Sequence, residues 1–297
     1  MEGQLTEAQK EARESARLYS PWRQAWRQLR KNKGAMMGLV VLIFLILMAI
    51  FAPFLAPYDP VADAELINSL RPPSLAFLMG ADNLGRDVLS RIIFGARISL
   101  TVGIVVQTIS ITLGTTLGLL SGYYGGKVDS AIMGLTNVIY AFPSLLFAIA
   151  VMSVLGAGLY NVFIALGFVG WPTVCRLVRA EILSLKEREF VQAAMAAGAS
   201  DFRLMISHML PNALGPILVV ATLGVAGAIL AEASLSFLGL GTQPPTPSWG
   251  AMLARGRDYI WSAPWLTVFP GIAIFITILG LNLLGDGLRD ALDPRLR

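Results

Sequence analysis

Five long stretches without a charged side chain divide the sequence. Their bounds and lengths are Lys33 to Asp59 with 25 uncharged residues, Arg97 to Lys127 with 29, Asp129 to Arg176 with 46, Arg203 to Glu232 with 28, and Asp258 to Asp286 with 27. A helix that crosses a bilayer needs about 20 apolar residues. The stretch of 46 therefore accommodates two helices, with a break at residues 156–161. The pattern predicts an all-α, polytopic membrane protein with about six transmembrane helices.

Composition supports an integral membrane protein and excludes several kinds of site. The chain is 55% hydrophobic and 14% charged, whereas a soluble domain has roughly 25% charged residues. One cysteine, Cys175, and one histidine, His208, leave no intrachain disulfide and no zinc-type cluster. The net charge of +4 is explained by the basic N-terminal tail and needs no nucleic acid as a partner.

Lysine and arginine residues indicate the orientation of the chain. With the N-terminus inside, 17 of the 23 basic residues lie on the cytoplasmic side, as the positive-inside rule requires. We therefore predict that both termini are cytoplasmic. The apolar core from Ala35 to Ala56 follows a tail of more than 30 residues and is too long for a signal peptide, so it is expected to remain as an anchor.

These patterns predict five regions. They are a cytoplasmic tail with an interfacial helix at 1–34, an anchor at 35–57, an extracytoplasmic segment at 58–96, a core of five transmembrane helices at 97–286, and a cytoplasmic tail at 287–297. Within the tail, Trp22, Trp26 and Leu29 share one helical face. Spans two to five are predicted at 98–122, 130–155, 160–180 and 213–236, with Pro143 and Pro172 kinking or ending helices. Gly114 and Gly118 form a GxxxG pattern that we interpret as helix packing.

Residues 185–212 form an alanine-rich, partly polar segment between two spans. The spacing places Phe190, Ala193, Ala194 and Ala197 on one face of a helix that starts near Leu185. Gly198 is typical of the residue after a helix end. Beyond it, Ser200 can cap a second helix with Asp201 in its first turn, and Pro211 is expected to bound that helix. A surface of alanine and glycine suits a docking partner; the simpler interpretation is a connector that uses alanine for its helix propensity.

The segment resembles the cytoplasmic coupling loop of ABC importer permeases. The similarity rests on Gln192-Ala193-Ala194, Gly198, His208 and Leu210-Pro211; Gln192 stands where the family has glutamate, and His208 is typical of the peptide and nickel branch. Three further strings, 80–100, 239–253 and 282–297, resemble the same branch. The resemblance implies a type I importer permease (MetI-like) fold, similar to the second permease of dipeptide and oligopeptide systems. The coupling residues that it implies are Glu189, Phe190, Gln192, Ala193, Ala194, Ala197, Gly198, Ala199, Ser200, Asp201, His208, Pro211 and Asn212.

A second set of residues is expected on the outer side, as a gate or as contacts for a binding protein. Glu232 is predicted near the membrane interface, where water reaches it, and Trp249 at the headgroup level or at a pore mouth. The set comprises Arg86, Asp87, Glu232, Gln243, Pro244 and Trp249. The charges of the outer segment, including Arg86 and Arg91, are expected to be paired or to face water in an ordered structure.

The sequence predicts no catalytic residue and no nucleotide site. The nearest approach to a phosphate loop is residues 121–128, where Ser121 and Val128 replace the required glycine and hydroxyl residues. The resemblance implies no cofactor on this chain, because ATP and magnesium would bind two ATPase partner subunits. It also implies a related permease as heterodimer partner, an extracytoplasmic solute-binding protein, membrane lipid and a multi-pass location in a prokaryotic inner membrane.

Three questions of function stay open at this point. Di- or oligopeptides are the expected solutes, and nickel chelates, glutathione or opines are alternatives within the same branch. A secondary transporter belongs to a different class, and it would place charged residues at the middle of its spans to bind a coupling ion. The charge-free middle spans disfavour that class. A membrane enzyme would need a polar catalytic cluster, and the sequence shows none.

Overall fold

The computed structural model describes residues 21–292, and within this range the fold is helical with no β-strand. Residues 1–20 and 293–297 of the predicted tails, and the side chain of Trp22, lie outside the described residues. The helices are α1 (Pro21–Lys31), α2 (Lys33–Ile50), α3 (Ala52–Leu55), α4 (Val88–Tyr124), α5 (Gly126–Tyr140), α6 (Ser144–Leu155), α7 (Leu159–Lys186), α8 (Glu189–Ala196), α9 (Asp201–Arg203), α10 (Leu210–Phe237), α11 (Trp249–Gly256) and α12 (Trp265–Leu292). Short 3₁₀ turns occupy Leu66–Asn68 and Arg257–Tyr259, and a π-turn occupies Leu204–Met209.

Five helical runs are long and apolar enough to cross a membrane, and a bent pair of helices makes six if the pair is counted as one span. Four of the runs are α2, α4, α7 and α12, and the fifth extends from Asp201 to Phe237. The sixth is α5 with α6, whose axes differ by 89°. Pro143 begins α6 as its N-cap, which confirms the expected break there. The prediction of about six spans is confirmed.

Three helix bounds differ from the hydropathy pattern. Helix α4 begins at Val88, ten residues before the predicted span, because the Asp87 carboxylate caps it by accepting the backbone N–H of Ser90 at 2.7 Å. Helix α12 continues to Leu292, so the tail predicted from residue 287 begins inside a helix. Helix α7 continues through Pro172, so the expectation that this proline ends a helix is wrong. Neighbouring helices can stabilise a membrane helix that contains proline.

The centre of the fold is the close packing of α4 on α7. Three glycines, Gly114, Gly118 and Gly122, recur every fourth residue along α4 and face α7. A Cβ atom at Gly118 would lie 2.6 Å from the carbonyl oxygen of Cys175, so only glycine allows this separation. The GxxxG pattern is therefore a packing stripe, as predicted.

The first anchor lies on the outside of this centre. Helix α2 packs against α12, where Gly38 contacts the backbone of Gly280 closely. Helix α1 continues the contact: Leu29 is buried with Ala35 and Ala291 at the end of α12. Leu29 therefore packs on protein, whereas Trp26 is half exposed.

The outer segment before α4 is an ordered loop held by paired charges, as predicted. Asp82 forms ion pairs with Arg86 at 2.7 Å and with Arg91 at 3.5 Å. Arg91 also donates to the carbonyl oxygen of Pro60 at 2.6 Å. At the start of the loop, hydrogen bonds from the backbone N–H groups of Ala62 and Val61 lower the pKa of Asp59.

Candidate functional site

The segment between α7 and α10 folds as two short helices joined at Gly198. The first helix, α8, begins at Glu189 rather than near Leu185, because α7 extends to Lys186. Gly198 adopts a φ of +80°, the left-handed conformation that follows a helix end. The Ser200 side chain accepts the backbone N–H of Arg203 at 3.4 Å and caps α9. The predicted position of Gly198 after a helix end and the predicted capping by Ser200 are both confirmed.

Helix α8 has an inner face and an exposed face. Val191 is fully buried, and Ala194 and Met195 pack partly buried against the same hydrophobic cluster. Phe190 and Ala193 are exposed. The single face predicted for four residues is therefore divided, because Ala194 turns toward the protein. Most of the other predicted coupling residues are exposed, namely Glu189, Gln192, Ala197, Gly198, Ser200, Asp201, Pro211 and Asn212, whereas Ala199 and His208 are partly buried.

The second helix does not end at Pro211, and that prediction is wrong. Helix α9 passes through the π-turn Leu204–Met209 directly into α10, with Pro211 in the first turn of α10. The ring of a proline crowds the carbonyl one turn earlier, and the wider π-turn leaves room for it. Asn212 stabilises the junction by donating its side-chain amide to the carbonyl oxygen of His208 at 2.6 Å.

Tyr123, near the C-terminal end of α4, anchors both ends of the segment. Its hydroxyl donates to the carboxylate of Asp201 at 2.7 Å, and its carbonyl oxygen accepts from Lys186 at 2.7 Å. Beneath these bonds, Val191 and Leu204 are buried in one cluster with the Tyr123 ring. The exposed aromatic side chains Phe190 and Phe202 are thus held on a fixed base. The segment is therefore packed against α4, α7 and α10 through one buried cluster.

We expect Tyr123→Phe to weaken coupling without unfolding the protein. The substitution removes the hydrogen bond to Asp201, worth roughly 1 kcal/mol, which corresponds to about a fivefold change in population. For the role that the resemblance implies, solute uptake in reconstituted vesicles should fall by a similar factor at most, while ATP hydrolysis by the partner subunits is retained. Tyr124→Phe is the control, because the neighbouring Tyr124 makes no side-chain hydrogen bond within residues 21–292. Equal effects of the two substitutions would contradict the anchoring role.

Polar side chains connect α5 to α7 in three rungs. The Arg179 guanidinium binds the Asp129 carboxylate with two hydrogen bonds of 2.6 Å. One turn along α7, Arg176 donates to the side-chain oxygen of Asn137 at 2.7 Å. The third rung joins the hydroxyl groups of Tyr140 and Thr173 at 2.8 Å. We call these three pairs the polar ladder.

Two cavities lie along the polar ladder. A cavity of about 630 Å³ is lined by the first two rungs, including Asp129, Arg179 and Arg176. A second cavity of about 300 Å³ continues past Thr173 and contains Gln107 and Ser110 among apolar side chains. Together they place a polar strip along a face that is otherwise apolar.

Glu232 is completely enclosed, so the prediction that water reaches it is wrong. One carboxylate oxygen accepts from Ser236 at 2.6 Å, Ser248 at 3.2 Å and Thr242 at 3.4 Å. The other oxygen has no hydrogen-bond partner among the described residues. The loop between α10 and α11 folds back over α10, and two of the three hydroxyl donors, Thr242 and Ser248, belong to this loop. Glu232 therefore fixes this loop to the span.

The structure also corrects the other predicted outer contacts. Trp249 is fully buried, and its indole N–H donates to the carbonyl oxygen of Ile92 at 3.0 Å. Arg86 and Asp87 are buried as well. Residues that are buried in the single chain cannot form a surface for a binding protein. Gln243 and Pro244 are exposed and remain candidates for that contact.

Several functional candidates were missed by reasoning from sequence. Tyr123 gave no signal, because its partner Asp201 is 78 residues away. Phe202 could have been noticed as an aromatic residue in a polar cap, and it is 70% exposed.

Among residues 21–292, no group of three or more histidine, cysteine, aspartate or glutamate side chains could hold a metal ion.

Comparison with known families agrees with this geometry. The family model described as "binding-protein-dependent transport system inner membrane component" matches residues 114–297. The model described as "N-terminal TM domain of oligopeptide transport permease C" matches residues 20–73.

Similar proteins span nearly the whole chain. The dipeptide transport system permease protein DppC of Alkalihalophilus pseudofirmus is 49% identical over 94% of this chain and 91% of its own length. The di/tripeptide transport system permease protein DppC of Pseudomonas aeruginosa is 46% identical, covering 94% and 93%. The glutathione transport system permease protein GsiD of Escherichia coli is 47% identical, covering 94% and 92%.

Solved structures support the fold. An inward-facing MetNI methionine ABC transporter aligns with a TM-score of 0.56 and 17% identity, over 69% of this chain and 97% of that chain. The fold is thus that of MetI-type permeases. With its coupling segment, its spans and its relatives taken together, this chain belongs to the inner membrane components of binding-protein-dependent transport systems.

Proposed function

We propose that this chain is one of two transmembrane subunits of an ABC importer that moves di- or oligopeptides inward. The observation that carries the proposal is the coupling segment, which presents Phe190, Ala193 and Phe202 on a base fixed by Val191 and Tyr123. An exposed aromatic pair around an alanine suits a groove in a partner protein. The partner proposed here is an ATPase subunit.

ATP chemistry is assigned to partners and not to this chain. The segment nearest to a phosphate loop connects two helices, α4 and α5, at Gly125 and Gly126, which both have positive φ. A phosphate loop instead follows a strand and opens a helix. We therefore propose two ATPase subunits, which bind ATP and magnesium, and a related permease that completes the transmembrane pair. An extracytoplasmic binding protein would deliver the solute.

Peptide is proposed as the solute because relatives named for dipeptide and di/tripeptide transport are 49% and 46% identical. Glutathione is the second candidate, because relatives named for its transport are 47% identical. Glutathione is itself a tripeptide with additional carboxylate charge. The two candidates therefore share one solute chemistry and differ in detail.

The orientation proposed is cytoplasmic for both termini and for the coupling segment. It is supported by the 17 to 6 bias of basic residues. Cysteine substitution provides the test, because the native Cys175 is fully buried. Leu75→Cys should react with an impermeant thiol reagent on intact cells, and Ala196→Cys only after the cells are opened. Labelling of Ala196→Cys on intact cells would reverse the orientation.

Uptake in the strain that encodes this chain tests the function itself. Deleting the gene should abolish uptake of a radiolabelled dipeptide, and the wild-type chain should restore it. Ala193→Arg should fail to restore uptake, because a long charged side chain on the exposed face blocks docking. Ala193→Ser, which adds one small group, should restore it. Normal peptide uptake in the deletion strain, together with loss of glutathione or nickel-chelate uptake, would replace the proposed solute.

A further inference from the structure

The polar ladder contains two arginines one turn apart with different surroundings. Arg179 is neutralised by the bidentate carboxylate of Asp129. Arg176 has only neutral neighbours: the amide oxygen of Asn137 at 2.7 Å, and the Tyr140 ring at 4.1 Å from its guanidinium carbon. Among residues 21–292, no carboxylate lies within ion-pair distance of Arg176. Its charge is thus held in place and left without a counterion.

Arg176 lies in the second half of α7, among the basic residues toward the end of the helix that leads to the segment at 185–212. Its side chain is exposed and lines the cavity of about 630 Å³. Charged residues within membrane spans almost always face a bundle interior or a water-filled cavity. The neighbouring Asn137 and Thr173 are also exposed. This concentration of polar groups indicates that the face lines a path for water or solute.

The side-chain geometry suits an anion with a planar, two-oxygen head. A guanidinium group has five N–H donors in a fixed fork that matches a carboxylate. One of them is directed to Asn137, and the Tyr140 ring covers one face of the group. The remaining donors are available to a ligand in the cavity. One turn before Arg176 on α7, the exposed hydroxyl of Thr173 lines the second cavity and adds a polar group for the amides of a peptide.

We infer that Arg176 is a solute-binding residue of the inner half of the transport path, where it receives the carboxylate of a passing peptide. The inference rests on the proposed function of peptide import. A neutral ladder would let charged and uncharged solutes pass alike. A fixed cation with no internal counterion favours solutes that carry a carboxylate. An inner-leaflet lipid phosphate is the competing occupant, and the polar neighbours on the same face argue against it.

The test compares a tripeptide with its C-terminal amide in vesicles that contain the complete transporter and its binding protein. Only peptide pairs that the binding protein holds in both forms, as measured by calorimetry, are used. Every variant is measured with the same binding protein, whose preference for acid or amide affects all variants equally. A difference between variants in the ratio of acid to amide uptake therefore reports the effect of the substitution. Arg176→Gln should lower this ratio roughly tenfold, because it removes a charge-assisted hydrogen bond. Arg176→Lys should largely preserve the ratio.

Arg179→Lys is the contrast on the same helix. It keeps a cation beside the Asp129 carboxylate while removing the bidentate geometry, so any loss of uptake should affect acid and amide together with an unchanged ratio. A second measurement needs no binding protein: Gly134→Cys places a thiol in the same cavity. The tripeptide acid should slow modification of that thiol more than the amide does, and Arg176→Gln should remove the difference.

Three results would overturn the inference. They are an acid-to-amide ratio that Arg176→Gln leaves unchanged, thiol protection that does not depend on residue 176, and a dependence of the Arg176 effect on anionic lipid in place of the solute. The last would assign Arg176 to a lipid phosphate. A wild-type transporter that takes up no peptide of either form would instead refute the proposed function.

Discussion

Replacing Gly198 by valine is expected to abolish transport while leaving the protein in the membrane. Gly198 joins α8 to α9 at a φ of +80°, and open space surrounds the position where a Cβ atom would lie. The obstacle is therefore backbone conformation rather than a clash. A β-branched residue in the left-handed region costs on the order of 1–3 kcal/mol. The joint should relax to a different geometry and displace Phe190 relative to Phe202.

Gly198→Asn is the matched control, because asparagine tolerates the left-handed region better than other non-glycine residues. Uptake and ATP hydrolysis are measured together in reconstituted vesicles, and ATPase subunits are counted by co-purification. The valine variant should lose most of its uptake and bind the ATPases weakly, and the asparagine variant should retain both. Normal uptake with valine would show that the joint is not part of the docking geometry.

Replacing Gly118 by alanine is expected to prevent normal folding, although it adds only one methyl group. The new Cβ atom would lie 2.6 Å from the carbonyl oxygen of Cys175 and 2.8 Å from the Cβ atom of Val178. Because a backbone atom cannot move aside as a side chain can, α4 and α7 must separate. Overpacking of this kind costs about 1–3 kcal/mol. The yield of folded protein and its thermal midpoint in detergent should both fall.

Gly134→Ala is the control for that experiment. Gly134 lies in α5, and no atom lies within 4 Å of the position that a Cβ atom would take there. Alanine is also the better helix former. The thermal midpoint of this variant should be unchanged or slightly higher. A Gly118→Ala protein as stable as this control would mean that the α4–α7 contact can widen at little cost.

The spans and the joint of the coupling segment were predictable because their signals are local. A run of uncharged residues marks a membrane crossing wherever it occurs. Gly198 and Ser200 act on the backbone within a few residues of themselves. Hydropathy, however, reports contact with lipid and not helix length. Helix α4 therefore begins at Val88, next to the arginines that pair with Asp82 in the loop before the helix.

The remaining features depend on contacts between distant parts of the chain. Glu232 was expected near water because the sequence does not show that Thr242 and Ser248 fold back over it. Tyr123 meets Asp201 only after α4 and α10 have packed. Pro211 was expected to end a helix, and the outcome depended on the π-turn before it, which has no simple sequence pattern.

The π-turn at Leu204–Met209 sets the angular phase between the coupling segment and α10. The backbone N–H of Leu210 bonds to the carbonyl of Met205, five residues earlier, so one residue more than usual occupies this turn. Each residue rotates an α-helix by about 100°. With that residue present, Leu204 and Met205 at the start of the turn and Ile217 after it are buried in one cluster. Without the additional residue, the side chain of Phe202 would point in a direction rotated by about 100° around the helix axis. The surface that this subunit presents to a partner therefore depends on the number of residues in the π-turn as well as on which amino acids they are.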